Sequence, residues 1–345
     1  MLRLLLALPP VLAFLAVLIV IDSFKLIPLR AVARSLAAGT VAALASWYVN
    51  QALLGAGVLA EPAFSRYASP LVEESLKALY AVYLVRRHRV GFLVDAAIHG
   101  FAVGAGFALV ENVYYLRSVA GGGLALWVVR GFGTALLHGG TTSVFAMISK
   151  TLADRHPSSR VAVFLPGGMV AFGVHSFFNH FILHALLATT LLLVALPLLM
   201  IAVFERSRRA TRDWLGAGFT GDLEFLATIL SGEVGQTRAG EYLRSLTARF
   251  PAPVVADMLC LIRIDLELSL RGKGILIARE AGLHLPVGED VRANLEELKY
   301  LEKAIGPTGL LAIRPLLKSS RHDRWHLYML EEAGVSAASR RRAAE

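Results

Sequence analysis

Seven apolar runs follow one another in the first 204 residues, at 4–24, 32–54, 68–85, 92–115, 124–149, 161–182 and 183–204. Each is long enough to carry a helix, at 1.5 Å per residue, across a hydrocarbon core of ~30 Å. Pro9 and Pro10 sit early in the first run and are expected at or near the start of its helix. After Phe204 the pattern changes to ordinary amphipathic periodicity with no strand signal, and helices are expected over 222–230, 239–249, 254–271, 289–304 and 323–332. The predicted fold is therefore all-α: a polytopic membrane bundle of about seven spans (1–204), a helical cytoplasmic domain (205–335), and a short basic, disordered tail (336–345).

Composition fits that division, since 56% of the 345 residues are hydrophobic, too many for a soluble chain. The net charge of +9 does not signal nucleic acid, because the basic residues cluster at the ends of apolar runs, where they anchor helices to headgroups. Lys25, Arg30 and Arg34 follow the first run, Arg86, Arg87 and Arg89 the third, Lys150, Arg155 and Arg160 the fifth, and Arg206, Arg208, Arg209 and Arg212 the seventh. By the positive-inside rule the N-terminus is outside and the tail cytoplasmic. The single cysteine, Cys260, excludes an internal disulfide. The first run resembles a signal peptide, but it is too long and lacks a small-residue cleavage site, and reads as a retained span. The C-terminal domain shows no catalytic constellation.

Against this apolar background, Glu73, Glu74 and Lys77 stand out in the third run. An ionised side chain at bilayer depth costs roughly 2.5–3.5 kcal/mol on insertion scales, so three within five residues imply a polar cavity with partners. On a helix Glu73 and Lys77 lie one turn apart on one face, with Glu74 turned away by about 100°. The other spans offer few partners. The fourth carries Glu111 and Asn112 beside a stripe of Gly100, Gly104 and Ala108, which invites close helix approach. The fifth carries His138, Gly139, Gly140, Thr141 and Thr142, and the sixth His175 and Asn179, one turn apart. Counted from the basic loops, Glu73, His138 and His175 lie ~18–22 Å deep and Glu111 deeper still, so four motifs converge in the outer half of the membrane. The implied cavity opens to the extracytoplasmic side.

A carboxylate tuned by Lys77 and a second carboxylate can take a proton from water, histidines can stabilise charge, and an asparagine amide can donate to an oxyanion. That set suffices for peptide hydrolysis without a serine or cysteine nucleophile. The same residues offer a second arrangement, with His138, His175 and a glutamate such as Glu111 holding Zn²⁺ and water in the fourth position. The residue types leave both open, and the lack of an HExxH motif leans toward the metal-free version.

Glu73-Glu74-Ser75-Leu76-Lys77, Phe107 to Glu111 with Asn112, His138, and His175 with Asn179 together resemble the four motifs of the PrsW family of intramembrane proteases, related to the CAAX-processing and bacteriocin-processing glutamate proteases. The resemblance covers roughly residues 68–179, and its specificity lies in the order, spacing and membrane context of the motifs. It implies a bacterial cytoplasmic-membrane endopeptidase that makes a site-1-type, extracytoplasmic cut in a membrane-anchored protein such as an anti-sigma factor. It also implies Glu73 and Glu74 as the catalytic pair, completed by Glu111, His138, His175 and Asn179 and supported by Lys77, Asn112 and Thr142. Asn179 departs from the pattern, since PrsW proteins often carry aspartate there and CAAX-type relatives asparagine.

Blander readings compete. Glu73 with Lys77 can be a helix-stabilising pair, Asp95 with His99 reads as a structural pair, and Phe177, Phe178 and Phe181 read as lipid-facing or packing residues. The competing function is a proton-coupled transporter, which uses the same Glu and His types. Against it, no matching polar set continues through the inner half, and no inverted repeat is evident. A topology reporter fused after Phe204 reports the cytoplasm, and an extracytoplasmic signal would reverse the side on which the cavity opens.

Overall fold

The two prolines near the N-terminus break the first span into two helices, α1 (Leu2–Ala7) and α2 (Pro9–Ile21). Proline lacks the N–H that a continuing helix needs, but its fixed φ suits a first turn. Helix α3 (Leu29–Gly55) likewise starts immediately after Pro28. A π-helical segment, Phe64–Ala68, leads into α4 (Ser69–Arg86), which has Pro70 in its first turn. Next comes α5 (Leu93–Ser118), capped by Asp95, whose carboxylate accepts from the backbone N–H of Gly91 (2.8 Å) and Phe92 (3.2 Å). A short helix, Leu124–Val128, and a second π-helical segment, Val129–Thr134, run into α6 (Ala135–Arg155). Helices α7 (Leu165–Asn179) and α8 (Ala185–Leu230) follow.

The computed structural model describes residues 2–57, 59–119, 123–156, 161–283, 285–317 and 325–332, with only the backbone of residue 217. The chain forms two units, one of residues 1–22 and 27–208, the other of residues 23–26 and 209–345. Among the described residues every regular element is helical. The second unit contains the end of α8, then α9 (Arg238–Leu246), α10 (Ala252–Glu280) and α11 (Glu289–Ile313), the last bent at Gly306, whose φ is 72°. Helix α8 continues without a break through 205–221, where no helix was expected. The expected tail, 336–345, lies outside the described residues.

Five helical stretches, 2–21, 29–55, 93–118, 162–179 and 185–230, are long and apolar enough to cross a membrane. The two further expected spans, α4 and α6, form helices but fall short on composition. They are the helices that carry Glu73, Glu74, Lys77 and His138. Polar side chains occupy their inward faces; α6 is buried along nearly its whole length, while α4 also keeps an outward apolar face with Leu71 and Leu79 exposed.

Helix α5 is the central element of the first unit, buried continuously from Val94 to Ala108 and packed against α6 and α3. Its small residues set those approaches. A Cβ at Gly104 would run into the His138 carbonyl and Gly139, and one at Gly100 would meet the Thr142 carbonyl at 2.6 Å. Asp95 and His99 do not form the pair expected of them. Asp95 caps α5, and His99 Nδ1 shares a hydrogen bond with Ser35 Oγ of α3 (2.8 Å). Overpacking a close backbone contact typically costs ~1–3 kcal/mol. Gly104→Val should therefore lower the melting temperature in detergent and displace His138, whereas Gly173→Ala, which meets nothing within 4 Å, should melt like the parent.

Candidate active site

Helix α4 projects Glu73, Glu74 and Lys77 inward, and all three are buried. Lys77 has no exposed surface, so its ammonium must find acceptors inside the protein. It donates to Glu74 Oε1 at 2.6 Å and to His138 Nδ1 at 2.9 Å, and lies 4.8 Å from the centroid of the Phe107 ring. The helical pair is therefore Glu74 with Lys77, three residues apart, and not Glu73 with Lys77. Either spacing brings side chains together; the position of His138 on α6 selects between them.

Lysine offers only donors, so His138 Nδ1 accepts, and the ring's proton sits on Nε2, which donates to Glu111 Oε2 at 2.8 Å. Glu111 Oε2 also meets Arg130 Nη2 at 2.9 Å. Arg130, borne by the π-helical segment before α6, stacks on Tyr115 at 3.8 Å and donates from Nε to Asn112 Oδ1 at 3.1 Å. Asn112 in turn donates to the Ala7 carbonyl at 2.7 Å. Asn112 thus braces α5 against the N-terminal helix and holds Arg130, without facing the carboxylate pair.

On the other side, Glu74 Oε1 accepts from His175 Nδ1 at 2.7 Å and from Thr141 at 3.2 Å. Thr142, expected as the supporting hydroxyl, donates to the His138 carbonyl of its own helix at 2.9 Å. With Nδ1 protonated toward Glu74, His175 Nε2 keeps its lone pair and faces Glu73 Oε2 at 3.8 Å. Glu73 Oε1 accepts from Ser69 at 2.6 Å, while Oε2 is buried with no hydrogen-bond partner. The rings of His138 and His175 meet edge to face, 4.9 Å apart.

Glu73, Glu111, His175 and Asn179 line one cavity of about 790 Å³. Asn179 donates to the Ser65 carbonyl at 3.0 Å. Phe178 and Phe181, read from the sequence as packing or lipid-facing, border this cavity as well. In the sequence Arg130 shows only as a lone arginine inside an otherwise apolar run.

The donor set suits a metal ion. One ligand atom each from Glu73, His138 and His175 can be chosen so that all three lie within 4.8 Å of one another. Tetrahedral Zn²⁺ with N and O ligands at ~2.0–2.2 Å needs its ligands ~3.4 Å apart, a short inward movement. The hydrogen-bond-free oxygen of Glu73 and the lone pair of His175 are what such an ion would use, whereas His138, whose Nδ1 accepts from Lys77 and whose Nε2 donates to Glu111, would have to release one of them to join. Glu111, named from the sequence as the acidic ligand, is held instead by Arg130 and His138.

A family model described as PrsW family intramembrane metalloprotease matches residues 27–204, just over half of the chain. The match takes in all the motif residues and also α3, and its metalloprotease description runs against the metal-free leaning drawn from the missing HExxH. No curated protein and no solved structure matches the chain.

Removing one partner of a buried ion pair leaves an uncompensated charge and typically costs ~3–5 kcal/mol. Lys77→Met should therefore destabilise the protein strongly. Lys77→Met with Glu74→Gln should recover part of the loss, which thermal melts of the purified single and double variants would measure.

Proposed function

Because the chain belongs to the PrsW family of intramembrane metalloproteases, we propose that it cleaves membrane-anchored proteins by activating water at Glu73. The cut is of the site-1 type, on the extracytoplasmic side of a bacterial cytoplasmic membrane, with an anti-sigma factor as the model substrate. The observation that carries the assignment is the asymmetry of the glutamate pair. Glu74 accepts at Oε1 from Lys77, His175 and Thr141 and does not line the cavity, whereas Glu73 lines it and has an Oε2 that is buried without a hydrogen bond.

In this reading the Glu73 carboxylate takes a proton from water as the water oxygen bonds to the scissile carbonyl carbon. The proton then passes to the leaving nitrogen as the C–N bond breaks. Glu74 acts by orienting His175, keeping its Nε2 turned to the reacting centre. One Asn179 N–H is spent on Ser65, and the second is left to donate to the developing oxyanion. Asparagine supports this role better than the family's aspartate, which has no N–H to give. Glu111 and Arg130 neutralise one another at the cavity wall and hold His138.

In a metal-bound version Glu73, His175 and a His138 released from Lys77 or Glu111 would hold the ion, and Zn²⁺ would supply Lewis-acid polarisation and a more acidic water in place of the Glu73 base. Glu73→Gln removes a base or a ligand, and either loss should cut turnover of a single-span reporter ~10²- to 10⁴-fold with the membrane level unchanged. Glu73→Asp, which draws the carboxylate back by about 1 Å, should lose ~10²-fold. Loss of activity to a chelator and recovery with Zn²⁺ would assign the metal. Full turnover by Glu73→Gln would sink the assignment and favour the proton-coupled transporter.

A further inference from the structure

Helix α3 contributes no motif residue, yet it forms one wall of the cavity beside Glu73, where two of its polar side chains have unfilled hydrogen-bonding atoms. Ser46 is 1% exposed and its hydroxyl has no hydrogen-bond partner; the Oδ1 of Asn50 has none either. Both line the cavity that Glu73 and His175 line. Buried polar atoms are rarely left unpaired, and those that are commonly await a ligand or water.

Asn50 also reaches the carboxylate. Its Nδ2 donates to Ser69 Oγ at 2.9 Å, and the Ser69 hydroxyl donates to Glu73 Oε1 at 2.6 Å. The chain runs one way, because the single Ser69 proton is directed at Glu73 and its oxygen is left to accept from Asn50. That fixes one oxygen of Glu73 and leaves the other turned to the cavity.

Resting on the protease reading above, we propose that α3 is the substrate-docking edge of the site. Asn50 positions Glu73 through Ser69, and Asn50 Oδ1 with Ser46 Oγ accepts backbone N–H groups of an extended substrate peptide. The spacing agrees. Residues 46 and 50 stand one helical turn apart, ~6 Å along the axis, and the N–H groups on one edge of an extended chain recur every second residue, at ~6.6 Å. An extended segment is also what the chemistry requires, since a helical substrate has its N–H groups already engaged.

Steady-state cleavage of a single-span reporter with an unstructured juxtamembrane stalk separates the two tasks. Ser69→Ala should lower kcat at least tenfold at unchanged KM, and Ser69→Thr, which keeps the hydroxyl, should restore it. Ser46→Ala should raise KM severalfold with kcat retained. Asn50→Ala should do both, with thermal melts confirming that each variant is folded. Binding is read without turnover by a photo-crosslinking side chain at Trp47, also on the cavity wall. In the Glu73→Gln background it should capture the uncut reporter, less so after Asn50→Ala. Folded Ser69→Ala and Asn50→Ala proteins within twofold of wild type in kcat and KM, with Glu73→Gln inactive, would overturn this inference and leave the protease reading standing. Full turnover by Glu73→Gln would overturn both.

Discussion

A fully buried ammonium group governs the rest of this site. Lys77 cannot be solvated, so it requires an ionised carboxylate and a neutral acceptor, and it finds them in Glu74 and His138. From that single donor the remaining proton positions follow. His138 must accept at Nδ1 and donate from Nε2, which sets its direction toward Glu111, and the Glu111 charge is met by Arg130. Glu74, held ionised by Lys77, takes the Nδ1 proton of His175 and leaves Nε2 with a lone pair. Two carboxylates and two cations cancel, and Glu73 remains as the acidic group with no lysine or arginine of its own. Reactivity resides in what the charge balance leaves over.

Such a network can exist at membrane depth only if other helices screen it. Helix α5 does so by letting backbones touch, since Gly100 and Gly104 admit α6 at distances that a methyl group would prevent. The same contact that excludes lipid from His138 therefore sets its distance from Lys77. Two π-helical segments feed the site as well: one carries Arg130, and the other supplies the Ser65 carbonyl that holds Asn179. Local departures from regular α-helix are common at functional sites, where they re-aim groups that strict 3.6-residue periodicity would turn elsewhere. In the water-poor interior that results, each hydrogen bond and charge interaction is stronger than at a surface.

The helical class, the membrane-spanning character and the family were legible in the sequence because hydrocarbon penalises polarity so heavily. Any Glu, Lys or His inside an apolar run is conspicuous, and Glu73, Glu74, Lys77, Glu111, His138 and His175 were found for that reason. The less visible participants are residues that cost little where they stand. Ser46 and Asn50 in the second half of α3, Ser69 at the start of α4, Thr141 beside Thr142, and Phe178 and Phe181 among other aromatics resemble ordinary span residues until the cavity, or for Thr141 its bond to Glu74, connects them. Arg130 was hidden differently, since a lone arginine carries no spacing signal and its partners lie on another helix, 15 to 19 residues earlier.

By itself, then, the sequence determined which residues must be sheltered, and so which helices must meet. It could not divide labour between the two adjacent glutamates. Helical spacing allows Lys77 to pair with the carboxylate three or four residues before it, and the two options differ by little within an isolated helix. Tertiary structure decided between them, because His138 on α6 and His175 on α7 both approach the Glu74 side of α4. That draws Lys77 to Glu74 and leaves Glu73 to the cavity, a choice made by neighbours far apart in the chain.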